Sequence, residues 1–250
     1  MTSAPVAASL IRCVVPVSGG KDSQACLQLA CAEFGADSVL GLFCDTQFEH
    51  PKTYAHIDFI RSLYGVRIET VCAGSVDDKC LKYGRFPSGV ARFCTDELKM
   101  RPSRDFYAAF ALTNGPFEVW YGMRSNESPE RAKRYASVIE SDLYQPHELF
   151  PVKYPKKLGA AGVRFRLPVL NWTSCEVKAL IFPNANPLYA EGFDRVGCFP
   201  CLASGPNVKA KAFGHDAFGH SQSERVISIA AVIGKDAMSG DGQTCGVCLI

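Results

Sequence analysis

The chain has 250 residues, of which 47% are hydrophobic and 21% charged, and its formal net charge is +2. This length allows one large domain, or a core domain with an added lobe, and the near-neutral charge does not mark the whole chain as a nucleic-acid binder. Without a run of about 18 uncharged apolar residues or a basic amino-terminal leader, we expect a cytoplasmic protein that does not span a membrane.

The first predicted element is a strand over residues 11–17. The glycine-rich run Ser18–Ser23 follows it, and a helical pattern comes next. A strand, a tight turn and a helix N-terminus present backbone N–H groups to an anion. The adjacent glycines let the backbone approach a phosphate, and the lysine adds positive charge. The run resembles the pyrophosphate loop of the PP-loop ATP pyrophosphatases. That resemblance implies that the β- and γ-phosphates of ATP are held by Ser18, Gly19, Gly20, Lys21, Asp22 and Ser23.

The next elements continue an alternating pattern: a buried strand over 38–44, a helix over 51–64 and a strand over 66–71. This order requires right-handed parallel crossovers and predicts an α/β fold. Asp45 and Thr46 follow the second strand, at the sheet edge where such folds bind ligands. The pattern from Asp45 to Glu49 is similar to the second motif of the phosphoadenylyl-sulfate (PAPS) reductase-like branch, which implies that Asp45 contacts the nucleotide or its Mg²⁺. The alternative is that Asp45 only caps the following helix.

Residues 72–93 are the least regular part of the chain, and we expect a loop that covers the substrate. The following run, from Arg92 through Cys94 to Arg101, is again similar to the PAPS reductase-like branch and begins a helix. A fourth strand is predicted over 117–122, and Gly122 at its end allows close approach to a nucleotide. Arg124 has a planar fork of donors suited to phosphate. The pattern from Gly122 to Arg131 also resembles this branch, where it closes the nucleotide site.

A basic stretch runs from Lys153 to Arg166 and contains Lys153, Lys156, Lys157, Arg164 and Arg166. One interpretation is a solvated hairpin; the other is a platform for the phosphates of tRNA or DNA. A fifth strand is predicted over 166–170. Thr173 and Glu176 then have the spacing of a capping box and begin a helix, and a last helix is predicted over 221–233.

The chain has twelve cysteines, which in a reducing compartment favour metal binding over disulfides. Two C-x-x-C pairs, Cys198 with Cys201 and Cys245 with Cys248, supply four thiolates, which suit zinc or a four-iron four-sulfur cluster. Four other cysteines fit strand or helix patterns as small hydrophobes, namely Cys13, Cys26, Cys31 and Cys44. A structural role is expected for Cys72, Cys80 and Cys175, which lack a partner at ligand spacing.

From Val14 to Cys201 five separate motifs resemble the PAPS reductase-like family of adenine nucleotide α-hydrolases. The resemblance implies an open, mainly parallel five-stranded sheet flanked by helices. We expect a nucleotide-binding domain over residues 1–170 and a helical, cysteine-rich metal-binding lobe over 171–250. By similarity to the iron–sulfur adenylyl-sulfate reductases, Cys94 matches the first ligand segment and Cys198 with Cys201 the second. Cys245 matches the reductase nucleophile, although Cys248 stands where those reductases have a histidine.

The intact loop implies ATP cleavage, because reductases of this family commonly carry a degraded one. The leading hypothesis is an ATP pyrophosphatase that adenylylates a substrate and is coupled to iron–sulfur-assisted sulfur transfer. Its predicted catalytic residues are Lys21, Asp22, Asp45, Arg124 and Cys245; Thr46 and Gly122 complete the nucleotide site. The alternatives are a thiol-dependent PAPS or adenylyl-sulfate reductase and a zinc-stabilised nucleic-acid-binding module. A sulfur-donor protein or a thioredoxin-like reductant is the expected partner, and we expect a homo-oligomer.

Overall fold

A single sheet of five strands, in the order β3-β2-β1-β4-β5, forms the centre of the molecule. The computed structural model describes residues 10–89 and 91–238. All four neighbouring strand pairs are parallel, which confirms the predicted α/β fold. The strands are β1 (Cys13–Val17), β2 (Val39–Asp45), β3 (Arg67–Cys72), β4 (Glu118–Trp120) and β5 (Arg164–Arg166).

Helices connect the strands and continue after β5. In chain order they are α1 (Lys21–Phe34), α2 (Pro51–Tyr64), α3 (Val76–Tyr83), α4 (Phe93–Thr95), α5 (Arg101–Asn114), α6 (Pro129–Arg134), α7 (Pro146–Leu149), α8 (Lys156–Ala160), α9 (Ser174–Ile181), α10 (Pro206–Phe213) and α11 (Ala217–Ile233). A π-helical segment, Asp96–Met100, joins α4 to α5. Among the described residues, no helix combines the length and apolar character needed to cross a membrane.

The sheet is buried on both faces, because successive β1 side chains enter different clusters. Val14 packs with Tyr107 and Phe165 on one face. Val15 packs with Ile60 and Val177 on the other face, where α2 and α9 lie. This two-sided burial is typical of a parallel sheet with helices on both sides.

Helices α10 and α11, with the residues just before them, pack against the segment between β2 and α5. A third hydrophobic cluster combines Leu202, Phe213 and Val226 from this part of the chain with Phe48 and Phe93. Because Cys94 and Cys198 border this cluster, residues distant in sequence reach the same layer.

Two predictions about local structure were wrong. The segment 72–93 contains α3, whose N-terminus is fixed by a capping box between Ser75 and Asp78. The fifth strand covers Arg164–Arg166 and not 166–170, because these are the three residues that pair with the three-residue strand β4. The following residues Leu167 and Leu170 remain in the core, so their apolar character reflects burial and not strand pairing.

Candidate functional site

The run Ser18–Ser23, here called the PP loop, forms a compact turn at the N-terminus of α1. The Ser23 hydroxyl donates to the Gly20 carbonyl oxygen at 2.9 Å and accepts from the Ser18 amide at 3.2 Å. Gly19 has a φ of +72°, and a Cβ at this position would lie 2.6 Å from Cγ2 of Thr53. Gly20, the N-cap residue of α1, has no side chain that could hydrogen-bond the first amides of the helix. The turn therefore leads directly into the N-terminus of the 14-residue helix α1. Helix N-termini are common phosphate-binding positions in proteins.

Gly122 lies against the PP loop at the point where the strand order reverses. Strand β1 lies between β2 and β4, and open α/β sheets bind ligands in the crevice at such a position. A Cβ on Gly122 would lie only 2.5 Å from the carbonyl oxygen of Asp22. The end of β4 therefore reaches the loop only because residue 122 has no side chain.

A buried group of charges joins two residues of the PP loop to Arg124. The Lys21 Nζ donates to Asp22 Oδ2 at 2.9 Å, and the Arg124 Nε donates to Asp22 Oδ1 at 2.5 Å. Lys21, Asp22 and Arg124 are 5%, 3% and 5% exposed. Arg124 also lies 3.9 Å from Glu127, which pairs with the buried Arg131, so three cations face two carboxylates. The excess of positive charge suits a phosphate group.

Residues 186–201, here called the cover segment, lie across the PP loop. The Asn186 Nδ2 donates to the Gly19 carbonyl oxygen at 3.1 Å, and the Lys21 amide donates to the Tyr189 hydroxyl at 2.9 Å. Sequence reasoning did not place Asn186 or Tyr189 in the site. The only hint in the sequence was that both residues lie shortly before the C-x-x-C pair of Cys198 and Cys201. Spacing along the chain does not predict that Asn186 contacts Gly19, which is 167 positions away.

Two carboxylates lie together at the carboxyl end of β2. Asp45 accepts from the Tyr54 hydroxyl at 2.7 Å and from the Gln47 amide at 2.8 Å. The buried Glu49 accepts from the Thr46 hydroxyl at 2.7 Å and lies 3.3 Å from the same Tyr54 hydroxyl. Burial, with the hydrogen bond to Asp45, raises the pKa of Tyr54 and keeps its hydroxyl protonated. Carboxylate oxygens are the ligands that Mg²⁺ prefers, and sequence reasoning had not placed Glu49 in the site.

Cys94, Cys198 and Cys201 line one cavity of about 20 Å³, here called the thiol cavity, together with Thr46 and Lys99. The Cys198 Sγ lies 3.3 Å from the Thr46 hydroxyl oxygen. Burial raises the pKa of Cys198 to about 12 and also raises that of Cys94. Both side chains are therefore protonated thiols at neutral pH in the absence of a bound cation. The structure thus brings three of the five candidate metal-ligand cysteines together.

The other two candidates, Cys245 and Cys248, lie outside the described residues. Within 10–89 and 91–238, no group of three or more His, Cys, Asp or Glu side chains is arranged to hold a metal ion. The last described residues, Ala237 and Met238, pack against the hydrophobic cluster that borders Cys94 and Cys198. The described chain therefore ends close to the thiol cavity.

The basic stretch from Lys153 to Arg166 is largely engaged within the protein. The Lys153 Nζ contacts Asp96 at 2.5 Å, and Arg164 donates to two nearby backbone carbonyl oxygens. Arg166 pairs with Glu33 at 3.1 Å and lies 4.4 Å from the centroid of a Trp120 ring. These contacts give the predicted tRNA or DNA platform no support.

The chain belongs to the phosphoadenosine phosphosulfate reductase domain family, whose model matches residues 12–204. It is 28% identical to an uncharacterised 37.8 kDa protein of Escherichia phage 186, over 80% of this chain and 70% of that protein. It is 27% identical to the adenosine 5′-phosphosulfate reductase of Rhodococcus erythropolis, over 65% of this chain but only 58% of the reductase.

A crystal structure of the PAPS reductase from Candida auris, in complex with phosphate, has the same fold. Its TM-score is 0.50 at 17% identity, with 75% of this chain and 81% of that chain covered. The family and the fold predicted from the motifs are thereby confirmed.

Proposed function

We propose that this protein transfers the adenylyl group of ATP to an acceptor, releases pyrophosphate, and couples this step to sulfur transfer at a cysteine-held iron–sulfur centre. The cover segment carries this proposal. It contacts the PP loop through Asn186 and Tyr189, and it ends in Cys198 and Cys201 of the thiol cavity. One short stretch of chain thus joins a phosphate-binding loop to a group of thiols.

The loop residues fit a nucleoside triphosphate. The loop leads into a helix N-terminus and carries the buried Lys21, and the buried Thr53 hydroxyl beside it has no partner among the described residues. In the reaction, an acceptor oxygen bonds to the α-phosphorus while the bond to pyrophosphate breaks, and pyrophosphate leaves with the electron pair. Lys21 and Arg124 would stabilise the charge that develops on the leaving group. Asp45 would bind the accompanying Mg²⁺.

Cys94, Cys198 and Cys201 supply the donor type that a soft, thiolate-bound metal centre takes, but in this conformation no three of the described His, Cys, Asp or Glu side chains are placed to hold a metal ion. Burial alone would lower the pKa of Lys99, but the neighbouring Glu49 carboxylate opposes this and the pKa is raised, so Lys99 remains an ammonium. An ammonium beside the cysteines favours their thiolate forms. The thiol cavity, at about 20 Å³, has room for one water-sized occupant. It would therefore have to widen to hold an iron–sulfur cluster. When bound, such a centre would supply sulfide-level sulfur, whose bond to the activated acceptor would form as the bond to AMP breaks and AMP leaves with the electron pair.

A second candidate is thiol-dependent reduction of adenylyl sulfate or PAPS, which the family model and the Rhodococcus relative favour. In that reaction the Cys245 thiolate would attack the sulfur atom and displace the nucleotide. A dithiol reductant, such as a thioredoxin-like protein, would then release sulfite. This reaction gives no role to a β,γ-phosphate loop, so the intact PP loop supports the first proposal.

Product analysis of anaerobically purified protein separates these candidates. We would measure iron and sulfide per chain, then AMP and pyrophosphate formed from ATP in the presence of tRNA, DNA or small acceptors. In parallel, sulfite would be measured from adenylyl sulfate and PAPS with a dithiol. Acceptor-dependent pyrophosphate release that Lys21→Met abolishes is the expected result. Sulfite formation without ATP would favour the reductase, and a colourless protein with about one zinc and no turnover would favour the nucleic-acid-binding module.

A further inference from the structure

The Tyr189 hydroxyl lies at the N-terminus of α1, the position that suits a phosphate group. The Lys21 amide, the first of the helix, donates to this hydroxyl at 2.9 Å. A Cβ on Gly20, the preceding residue, would lie 3.4 Å from the same hydroxyl oxygen and 3.4 Å from the Val196 carbonyl oxygen. Two oxygen atoms of the cover segment therefore stand at the end of the helix that attracts anions.

A phosphate oxygen and the Tyr189 hydroxyl would compete for the Lys21 amide. Desolvation by burial raises the pKa of Tyr189, so its hydroxyl stays neutral at neutral pH. A phosphate oxygen is charged, and a hydrogen bond to a charged acceptor is about twice as strong as one to a neutral acceptor. A phosphate can therefore displace the hydroxyl, but it must break a hydrogen bond that the protein already makes.

The backbone of Tyr189 is held in place, so displacement requires only its side chain to turn. The Tyr189 amide donates to the Asn186 carbonyl oxygen at 3.0 Å. The preceding residue, Leu188, is buried in a hydrophobic cluster with Phe193 and Phe199. The Tyr189 residue itself is only half-buried, which leaves a side towards which the ring can move.

Ammonium groups lie near the Tyr189 ring. The Lys21 Nζ is 5.7 Å from the ring centroid, and the Nζ of the exposed Lys178 is 6.0 Å from it. A cation gains about 0.5–1 kcal/mol from an aromatic ring at an exposed site. A polyphosphate in this region would attract the same two cations through its full negative charge.

We propose that Tyr189 is a gate on the PP loop: its hydroxyl competes with the phosphates of ATP for the N-terminus of α1, and its return to the Lys21 amide helps to release pyrophosphate. The inference rests on the proposed function, because it assumes that the loop holds the β- and γ-phosphates of ATP. Tyr189 thus weakens the binding of ATP and of pyrophosphate, and has no effect on AMP, which lacks both of these phosphates.

Titration calorimetry of the full chain with ATP, magnesium pyrophosphate and AMP tests the gate. Tyr189→Phe removes the competing hydroxyl and keeps the ring. Tyr144→Phe is the matched control, because the half-buried Tyr144 also accepts from a backbone amide, that of Ile139 at 2.8 Å, outside the PP loop and the cover segment.

Tyr189→Phe should bind ATP and pyrophosphate about two- to tenfold more tightly than wild type, the range that one neutral hydrogen bond represents. Its affinity for AMP, and all three affinities of Tyr144→Phe, should equal those of wild type. Weaker or unchanged ATP binding in Tyr189→Phe would overturn the gate, and so would an equal gain for AMP. Absence of ATP and pyrophosphate binding from wild type and both variants would instead refute the proposed function, and the gate with it.

A measurement on wild type keeps the test independent of how the variant folds. Tyrosines would be acetylated with N-acetylimidazole, and the rate at each residue followed by peptide mass spectrometry. Saturating magnesium pyrophosphate should raise the rate at Tyr189 several-fold relative to Tyr144, because the displaced ring turns outward, and AMP should not. A rate at Tyr189 that falls or stays constant with pyrophosphate would overturn the gate.

Discussion

The PP loop and the thiol cavity follow the ends of adjacent strands, but they are built in different ways. The PP loop consists of six consecutive residues, and bonds such as those between Ser18, Gly20 and Ser23 lie within it. The thiol cavity is lined by residues from four separate parts of the chain: after β2, in α3, around α4, and at the end of the cover segment. A short local motif can therefore specify the first region, whereas only the folded chain assembles the second.

The strongest expected effect comes from Gly122→Ala, because its Cβ would collide with the backbone of the PP loop. We expect a loss of about 3 kcal/mol in the free energy of unfolding and a large loss of ATP affinity. Denaturant unfolding and calorimetric titration with ATP measure the two effects. Gly197→Ala is the control, since a Cβ there would meet nothing within 4 Å among the described residues. ATP binding equal to wild type in Gly122→Ala would place the nucleotide elsewhere.

Cys198→Ser should affect the thiol cavity and leave the PP loop unchanged, because Cys198 lines the cavity and takes no part in the hydrogen bonds within the loop. We expect most of the iron to be lost after reconstitution, because serine is a poor ligand for soft metals. ATP affinity should stay within about twofold of wild type, well under the tenfold that 1.4 kcal/mol represents. The exposed Cys175, changed to serine, is the control. Iron content unaffected by Cys198→Ser would contradict the proposed centre.

Lys21→Met should have the opposite effect, changing the PP loop and leaving the thiol cavity unchanged. Loss of a charged hydrogen bond to phosphate should weaken ATP binding about 10- to 100-fold, and iron content should not change. Isothermal titration with ATP measures the affinity, and the exposed Lys156, changed to methionine, is the control. A fall in iron content in Lys21→Met would show that the two regions are not independent.

A smaller, pH-dependent effect concerns the helices beneath the PP loop. Burial lowers the pKa of His56 to about 4, and its ring Nε2 lies 2.9 Å from the Gln24 Oε1 on α1. The unfolded chain, with an ordinary histidine, binds a proton more readily below pH 6.5. The contribution of the neutral, buried His56 to the free energy of unfolding is therefore fully present above about pH 6.5. It is lost as the pH falls towards 4, and about 2 kcal/mol is lost by pH 4.5.

Urea unfolding of wild type and His56→Gln between pH 7 and pH 4.5 checks this prediction. The variant should lose less stability on acidification than wild type, because glutamine does not titrate. Parallel pH dependence in both proteins would assign the acid sensitivity to other groups. ATP binding measured over the same range shows whether the PP loop loses its function before the protein unfolds.

Local sequence patterns were enough to predict the alternation from β1 through α1, β2 and α2 to β3, the PP loop and the family. These features depend on local patterns: apolar runs for strands, a glycine turn before a helix, and cap residues such as Thr173, whose hydroxyl accepts from the Glu176 amide. Each is specified within a few residues, so no knowledge of distant contacts was needed.

Contacts between residues distant in sequence could be identified only in the folded chain. The tertiary structure placed Tyr189 on the PP loop, Cys94 beside Cys198, and Cys80 in the same layer on a helix expected to be a loop. It also showed that Arg164 and Arg166 are held by the protein itself. The physical reason is that contacts between distant segments result from burying apolar surface, which many segment pairs could do equally well, and spacing along the chain does not encode the choice.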